Sequence, residues 1–192
     1  MDDKNVYWAT GDAIMCIAKA NGTVRRLAAA NTFHLAVDDS SIYWAEEDKV
    51  MSLATTGEEV PNVLAEDENA PTYVAVDDNY IYWTNCGCRS ADGEVKKDHK
   101  VLFTPGTRAM LGGPKFIAGG EYGPGFIAVD NTHIYWANCK AGAVMKAPKD
   151  FEGSSVELAP GRSYQTYGGL TVDNNNVYWT VQDQKTGRMV HS

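Results

Sequence analysis

The dipeptide Tyr-Trp recurs five times, at Tyr7-Trp8, Tyr43-Trp44, Tyr82-Trp83, Tyr135-Trp136 and Tyr178-Trp179, with spacings of 36, 39, 53 and 43 residues. Each copy ends the same extended pattern: a short apolar run, Val-Asp, a polar turn, Ile or Val, then the two aromatics. A unit repeated about every 40 residues cannot bury its apolar face alone, so it must stack on further copies of itself.

Aligned on this pattern, a full unit carries four strand signals. The first is Leu35-Ala36-Val37-Asp38, matched at Val74–Asp77, Ile127–Asp130 and Leu170–Asp173. A turn rich in Asp, Asn and Ser follows, residue types whose side chains bond their own backbone and tolerate unusual dihedrals. The second strand holds Tyr-Trp. The third is read at Ile14-Met15, Val50-Met51, Val101-Leu102, Val144-Met145 and Met189-Val190, and the fourth ends in Leu27-Ala28, Leu64-Ala65, Ile117-Ala118 and Leu158-Ala159. No segment sustains a helical apolar period.

Four short antiparallel strands per unit describe a propeller blade. The expected fold is therefore an all-β propeller, one domain over residues 1–192 with about 4.5 blades. Tyr-Trp then fills the space between neighbouring sheets, where each ring buries on the order of 150–250 Å². The Met series is expected to fill gaps in the same core.

Val-Asp-Asp-x-x-Ile-Tyr-Trp-Ala (37–45) and Val-Asp-Asp-x-x-Ile-Tyr-Trp-Thr-Asn (76–85) resemble the YWTD-type β-propeller repeat of the low-density-lipoprotein-receptor class. They are more similar still to bacterial exported propellers with VYWTN blades. The resemblance covers nearly the whole chain apart from apparent insertions around 87–100 and 105–114. It implies a binding scaffold, usually of six blades. The acidic fourth position of the family motif is Thr10, Glu46, Asn85, Asn138 and Val181 here, so the resemblance does not carry over the contact between blades that the family's Asp makes.

The count is 18 strand signals, with the first unit lacking its innermost strand and the last its outermost. A five-bladed ring needs 20 and a six-bladed ring 24. Open blade edges and faces invite association, so self-association or a partner chain completing the propeller is expected, with a five-bladed ring of frayed ends as the competing reading.

The 192 residues are 44% hydrophobic and carry a net charge of −8. That balance disfavours nucleic acid and anionic membranes as partners. No apolar stretch is long enough to span a bilayer. The chain shows no signal peptide, and the exported relatives nevertheless point to an extracytoplasmic or secreted location.

Cys86 and Cys139 occupy equivalent positions in consecutive units, and the loop through Cys88 is read as long enough to reach across. A Cys88–Cys139 or Cys86–Cys139 bridge is favoured over free thiols, with Cys16 unpaired. Cys-x-Cys lacks structural-zinc spacing, so no metal is expected there. Calcium at the Asp-Asp turns is the one candidate cofactor, weighed against the recurrence of those residues as turn formers.

In a propeller, loops from strand two to three and from blade to blade share one face. The candidate ligand-binding residues on it are Asn85, Arg89, Asn138, Lys140, Tyr122, Arg162, Tyr164 and Tyr167, an aromatic and cationic set suited to a glycan, a peptide or an acidic group. A repeat that supplies similar residues to every blade favours a non-catalytic binding or assembly module, with no catalytic residue assigned and with recognition focused on the segment 86–100. The alternative is a propeller enzyme, a lyase or hydrolase, acting at the central funnel.

Overall fold

The Tyr-Trp strands are apolar at nearly every position, a pattern only a strand covered on both faces can tolerate. The computed structural model of the chain places four of the five in sheet interiors, and the first, which carries Tyr7-Trp8, at a sheet edge. It describes residues 3–20, 22–57, 60–86, 92–100, 113–150, 155–161, 165–183 and 189–191, with side chains left aside for 165–167, 182–183 and 189–191. Eighteen strands form five antiparallel sheets among these residues.

The first sheet contains β1 (Asn5–Ala9), β2 (Ala13–Ala18) and β3 (Val24–Ala29). The second contains β4 (Leu35–Val37), β5 (Ser41–Glu46), β6 (Lys49–Ala54) and β7 (Asn62–Ala65). The third contains β8 (Pro71–Val76), β9 (Tyr80–Asn85), β10 (Gly93–His99) and β11 (Lys115–Glu121). The fourth contains β12 (Pro124–Val129), β13 (His133–Asn138), β14 (Ala143–Pro148) and β15 (Val156–Ala159). The last contains β16 (Gln165–Val172), β17 (Val177–Asp183) and β18 (Met189–His191). Every sheet is a meander in sequence order. The innermost strands β4, β8, β12 and β16 pack side by side in succession, which is the arrangement of a β-propeller.

Burial explains the repeat. Trp44 packs with Tyr7, Ile14 and Cys16 of the preceding blade, Trp83 with Tyr43 and Val50, and Trp136 with Tyr82 and Val95. Each indole therefore faces back one blade and each phenol ring faces forward. Trp44, Trp83 and Trp136 are fully buried, as expected for core aromatics. Tyr178 differs: on the last sheet it is 46% exposed.

One strand departs from the sequence reading. The third strand of the third blade is Gly93–His99, whereas Val101 and Leu102 lie outside the described residues. A register shift follows Ile14, Val50, Val95 and Val144 in the pairing of third with fourth strands. Such a bulge adds local twist, and its recurrence identifies Val95 as the counterpart of Val50 and Val144. Lys96-Lys97, within the segment read as an insertion, is thus strand. Lys97 is buried, with its ammonium over the Tyr80 ring at 4.8 Å and donating to the Lys149 carbonyl.

Candidate functional site

The two ends of the propeller axis differ in chemistry. At the end carrying the strand-one-to-two turns, Asp38, Asp77, Asp130 and Asp173 are used identically. Oδ1 of each accepts backbone N–H groups from the residues two and three positions on, at 2.7–2.9 Å. Oδ2 of each accepts the hydroxyl of the Tyr of its own Tyr-Trp pair at 2.7–2.9 Å. The next blade adds a lysine: Lys100 Nζ lies 2.6 Å from Asp38 Oδ2 and Lys149 Nζ lies 2.6 Å from Asp77 Oδ2. These carboxylates are turn formers and clamps between blades. Among the described residues, no group of three or more His, Cys, Asp or Glu is arranged to hold a metal ion.

Burial alone would raise the pKa of Asp38 and Asp77. The lysine, the turn N–H groups and the Tyr hydroxyl outweigh it and hold both at about 2. Asp130, with turn N–H groups and Tyr135 but no lysine among its causes, also lies at about 2. Tyr135 is pushed up to about 12, by burial first and then by Asp130.

At the opposite end, the blade-to-blade junctions hold buried glutamates. Glu68 Oε2 accepts from Trp83 Nε1 at 3.1 Å, Asn85 Nδ2 at 2.6 Å and Lys96 Nζ at 3.0 Å. Glu121 accepts from Asn138 Nδ2 at 2.5 Å and from Ser155 Oγ at 3.2 Å. At both positions a glutamate from the preceding segment partners the Asn, Glu68 from the β7–β8 connection and Glu121 from the end of β11. Asn85 and Asn138, expected in a ligand site, are buried, and each gives its amide N–H to a glutamate.

The remaining candidates divide. Tyr122 is 55% exposed, and its carbonyl accepts the Lys140 backbone N–H at 3.2 Å, so those two residues sit together on the loop face. Arg89, Arg162 and Tyr164 lie outside the described residues, and Tyr167 is placed only by its backbone in β16. Cys139 is a free thiol, as is Cys16, so neither expected bridge to Cys139 forms. Cys86 is disulfide-bonded to a partner outside the described residues. Cys139 is half-buried, and burial raises its pKa.

The loop face also holds a feature that sequence reasoning missed. His34, Tyr73 and Phe126 stand at equivalent positions, one residue before the Leu35, Val74 and Ile127 of the innermost strands. Their rings meet at the axis, His34 to Tyr73 at 4.9 Å and Tyr73 to Phe126 at 4.3 Å. They line a cleft of about 350 Å³ together with Asn31, Thr32, Phe33, Glu46 and Glu47. Phe33 is 86% exposed, and its ring lies where a Cβ on Gly11 would stand; the φ of +94° at Gly11 is itself one that residues with side chains rarely adopt. Burial lowers the His34 pKa from 6.5 to about 4, and its Nδ1 accepts the Val74 N–H at 3.5 Å. His34 is therefore neutral near pH 7, with its proton on Nε2.

These groups predict two windows in an acid titration of stability. His34 has a folded pKa below its unfolded one, so its contribution is complete above pH 6.5 and is lost as pH falls toward about 4. Asp38, Asp77 and Asp130 contribute fully above their unfolded value of 3.8, and that contribution is lost as pH falls toward about 2. Urea unfolding at half-unit steps from pH 7 to 2 should show both declines. His34→Leu should remove the upper one, and a slope unchanged in that variant would assign it to other groups.

Comparison with solved structures agrees with this architecture. A chain of the nidogen/laminin complex superposes with a TM-score of 0.73 at 15% identity, covering 98% of this chain and 74% of that one. Streptogramin B lyase gives 0.73 at 13% identity, with 100% and 66% covered. Regucalcin of Agrobacterium tumefaciens, described as a calcium-binding protein, gives 0.69 at 14% identity, with 97% and 69% covered. The protein is a β-propeller, and it spans about two thirds to three quarters of the length of these neighbours. At such identities the likeness shows the fold alone, so a YWTD-type propeller fits at that level. No family model matches the sequence, and no curated protein does.

Proposed function

We propose that this chain is a non-catalytic binding module that recognises a protein, peptide or glycan with the loop face around the axial cleft. The observation that carries this reading is the aromatic wall of His34, Tyr73 and Phe126, with Phe33 and Tyr122 exposed on the same face. Exposed rings over a preformed concavity are what a binding surface requires. A neighbour found in a complex of two proteins is consistent with a propeller used this way. The disulfide at Cys86 supports an extracytoplasmic setting, where such bonds persist.

The lyase neighbour raises the other reading, an enzyme acting at the funnel. His34 is the imidazole available at the cleft, and it suits that role poorly. A group with a pKa of about 4 is a weak base at neutral pH, and its Nδ1 already accepts a backbone N–H. What remains is a hydrogen-bond donor at Nε2.

Peptide and glycan arrays probed with the intact chain test the proposal. A discrete ligand set is expected, with signal lost in Phe33→Ser and reduced in a Tyr122→Ser, Lys140→Ser double variant. An empty array, or signal indifferent to Phe33, would refute recognition by this face.

A further inference from the structure

Within that reading, which this inference rests on, the axial cleft has a specific chemistry. Its wall is aromatic and its rim is acidic, with Glu46 and Glu47 presented by the turn between β5 and β6. Glu46 Oε2 accepts the Asn31 backbone N–H at 2.9 Å, and no ion pair to a described cation is formed by Glu46 or Glu47. The imidazole in the wall is uncharged at neutral pH, so it does not repel a positive group. Ring faces attract cations through their quadrupole, and that attraction grows when the cation is desolvated.

We propose that this cleft takes the cationic side chain, arginine or lysine, of a peptide segment displayed by a partner protein. The aliphatic stem and charged head would stack on Tyr73 and Phe126, with Glu46 and Glu47 opposing the charge. The same arrangement occurs internally, where Lys97 lies over Tyr80 at 4.8 Å and Lys149 over Tyr82 at 5.5 Å. The net charge of −8 steers a basic partner toward the surface.

The test uses the intact chain and terminally blocked Gly-Arg-Gly and Gly-Lys-Gly peptides, with citrulline and norleucine peptides as uncharged counterparts, titrated by NMR. The cationic peptides are expected to bind roughly tenfold or more tightly than the neutral ones, and to weaken with added salt. A Glu46→Gln, Glu47→Gln double variant keeps side-chain size and the acceptor for Asn31, and should lose about tenfold. Tyr73→Leu, checked for an unchanged unfolding midpoint, should lose a similar factor. Equal affinity for arginine and citrulline peptides, or binding indifferent to the double variant, would overturn the proposal. Arrays that find a ligand while the arginine peptide fails would remove only the cation assignment. Failure of both would remove the binding-module reading as well.

Discussion

Glu68→Ala is expected to lower the unfolding free energy by about 3–5 kcal/mol, the cost of removing one partner from a buried charged pair. Three donors converge on one Glu68 oxygen, and its side chain is only 4% exposed. Truncation leaves the Trp83 indole N–H with no acceptor among the described residues and leaves Lys96 with Glu94, at 3.2 Å and nearer the surface. Burial disfavours the charge on Lys96, yet its pKa stands above the usual lysine value because Glu68 and Glu94 more than offset that penalty. Glu121→Ala is the internal comparison. Its partners are a neutral amide and a hydroxyl, so the loss there should be about 1–3 kcal/mol. Urea denaturation of both variants measures the difference directly. Equal losses would mean that the Lys96 charge adds nothing to the hydrogen bonds, and a Glu68→Ala loss below about 1 kcal/mol that the junction is held by apolar packing alone.

That contrast follows from register. Trp8, Trp44 and Trp136 pair across their sheets with Met15, Met51 and Met145, whereas Trp83 pairs with Lys96. The third blade therefore places an ammonium where its neighbours place a thioether, and a carboxylate within reach keeps that ammonium tolerable. Trp136 Nε1 has no hydrogen-bond partner among the described residues, and the same is true of Trp44 Nε1. The indole N–H is thus optional to the repeat, and the ring's apolar body is what each blade requires.

The propeller itself was legible because Tyr-Trp is a large, periodic and locally encoded signal. The Val-Asp turns were legible for the same reason: the carboxylate bonds within five residues of itself, so its role is written in contiguous sequence. The junction glutamates were not, because Glu68 and Asn85 are 17 residues apart and Glu68 resembles an ordinary loop acid. The 17-residue spacing recurs between Glu121 and Asn138, the one signal in the sequence that relates the two junctions. The axial cleft was hidden because His34, Tyr73 and Phe126 differ in type, and only equivalent placement before each innermost strand relates them. Cys139 misled for the reverse reason, since equivalence to Cys86 in the repeat does not bring two residues of separate blades into bonding distance.

Misplacing one strand has the largest experimental consequence. Read as an insertion, the segment around 87–100 invites replacement by a flexible turn that spares folding and removes ligand binding. With Gly93–His99 forming β10 between β9 and β11, replacing those seven residues by Gly and Ser should instead abolish cooperative unfolding. Val95 is fully buried in the cluster that contains Tyr82 and Trp136, and its loss costs roughly 2–3 kcal/mol. Removing Lys96 strips Glu68 of its counter-charge. Glycine in strand interiors adds about 0.5–1 kcal/mol at each position it occupies. Together these losses approach the whole stability of an ordinary domain, about 5–15 kcal/mol. Near-UV circular dichroism and a thermal melt provide the measurement. A sharp transition within a few degrees of the parent would show that the third blade stands without β10, and that the charged residues of this segment are free to serve recognition after all.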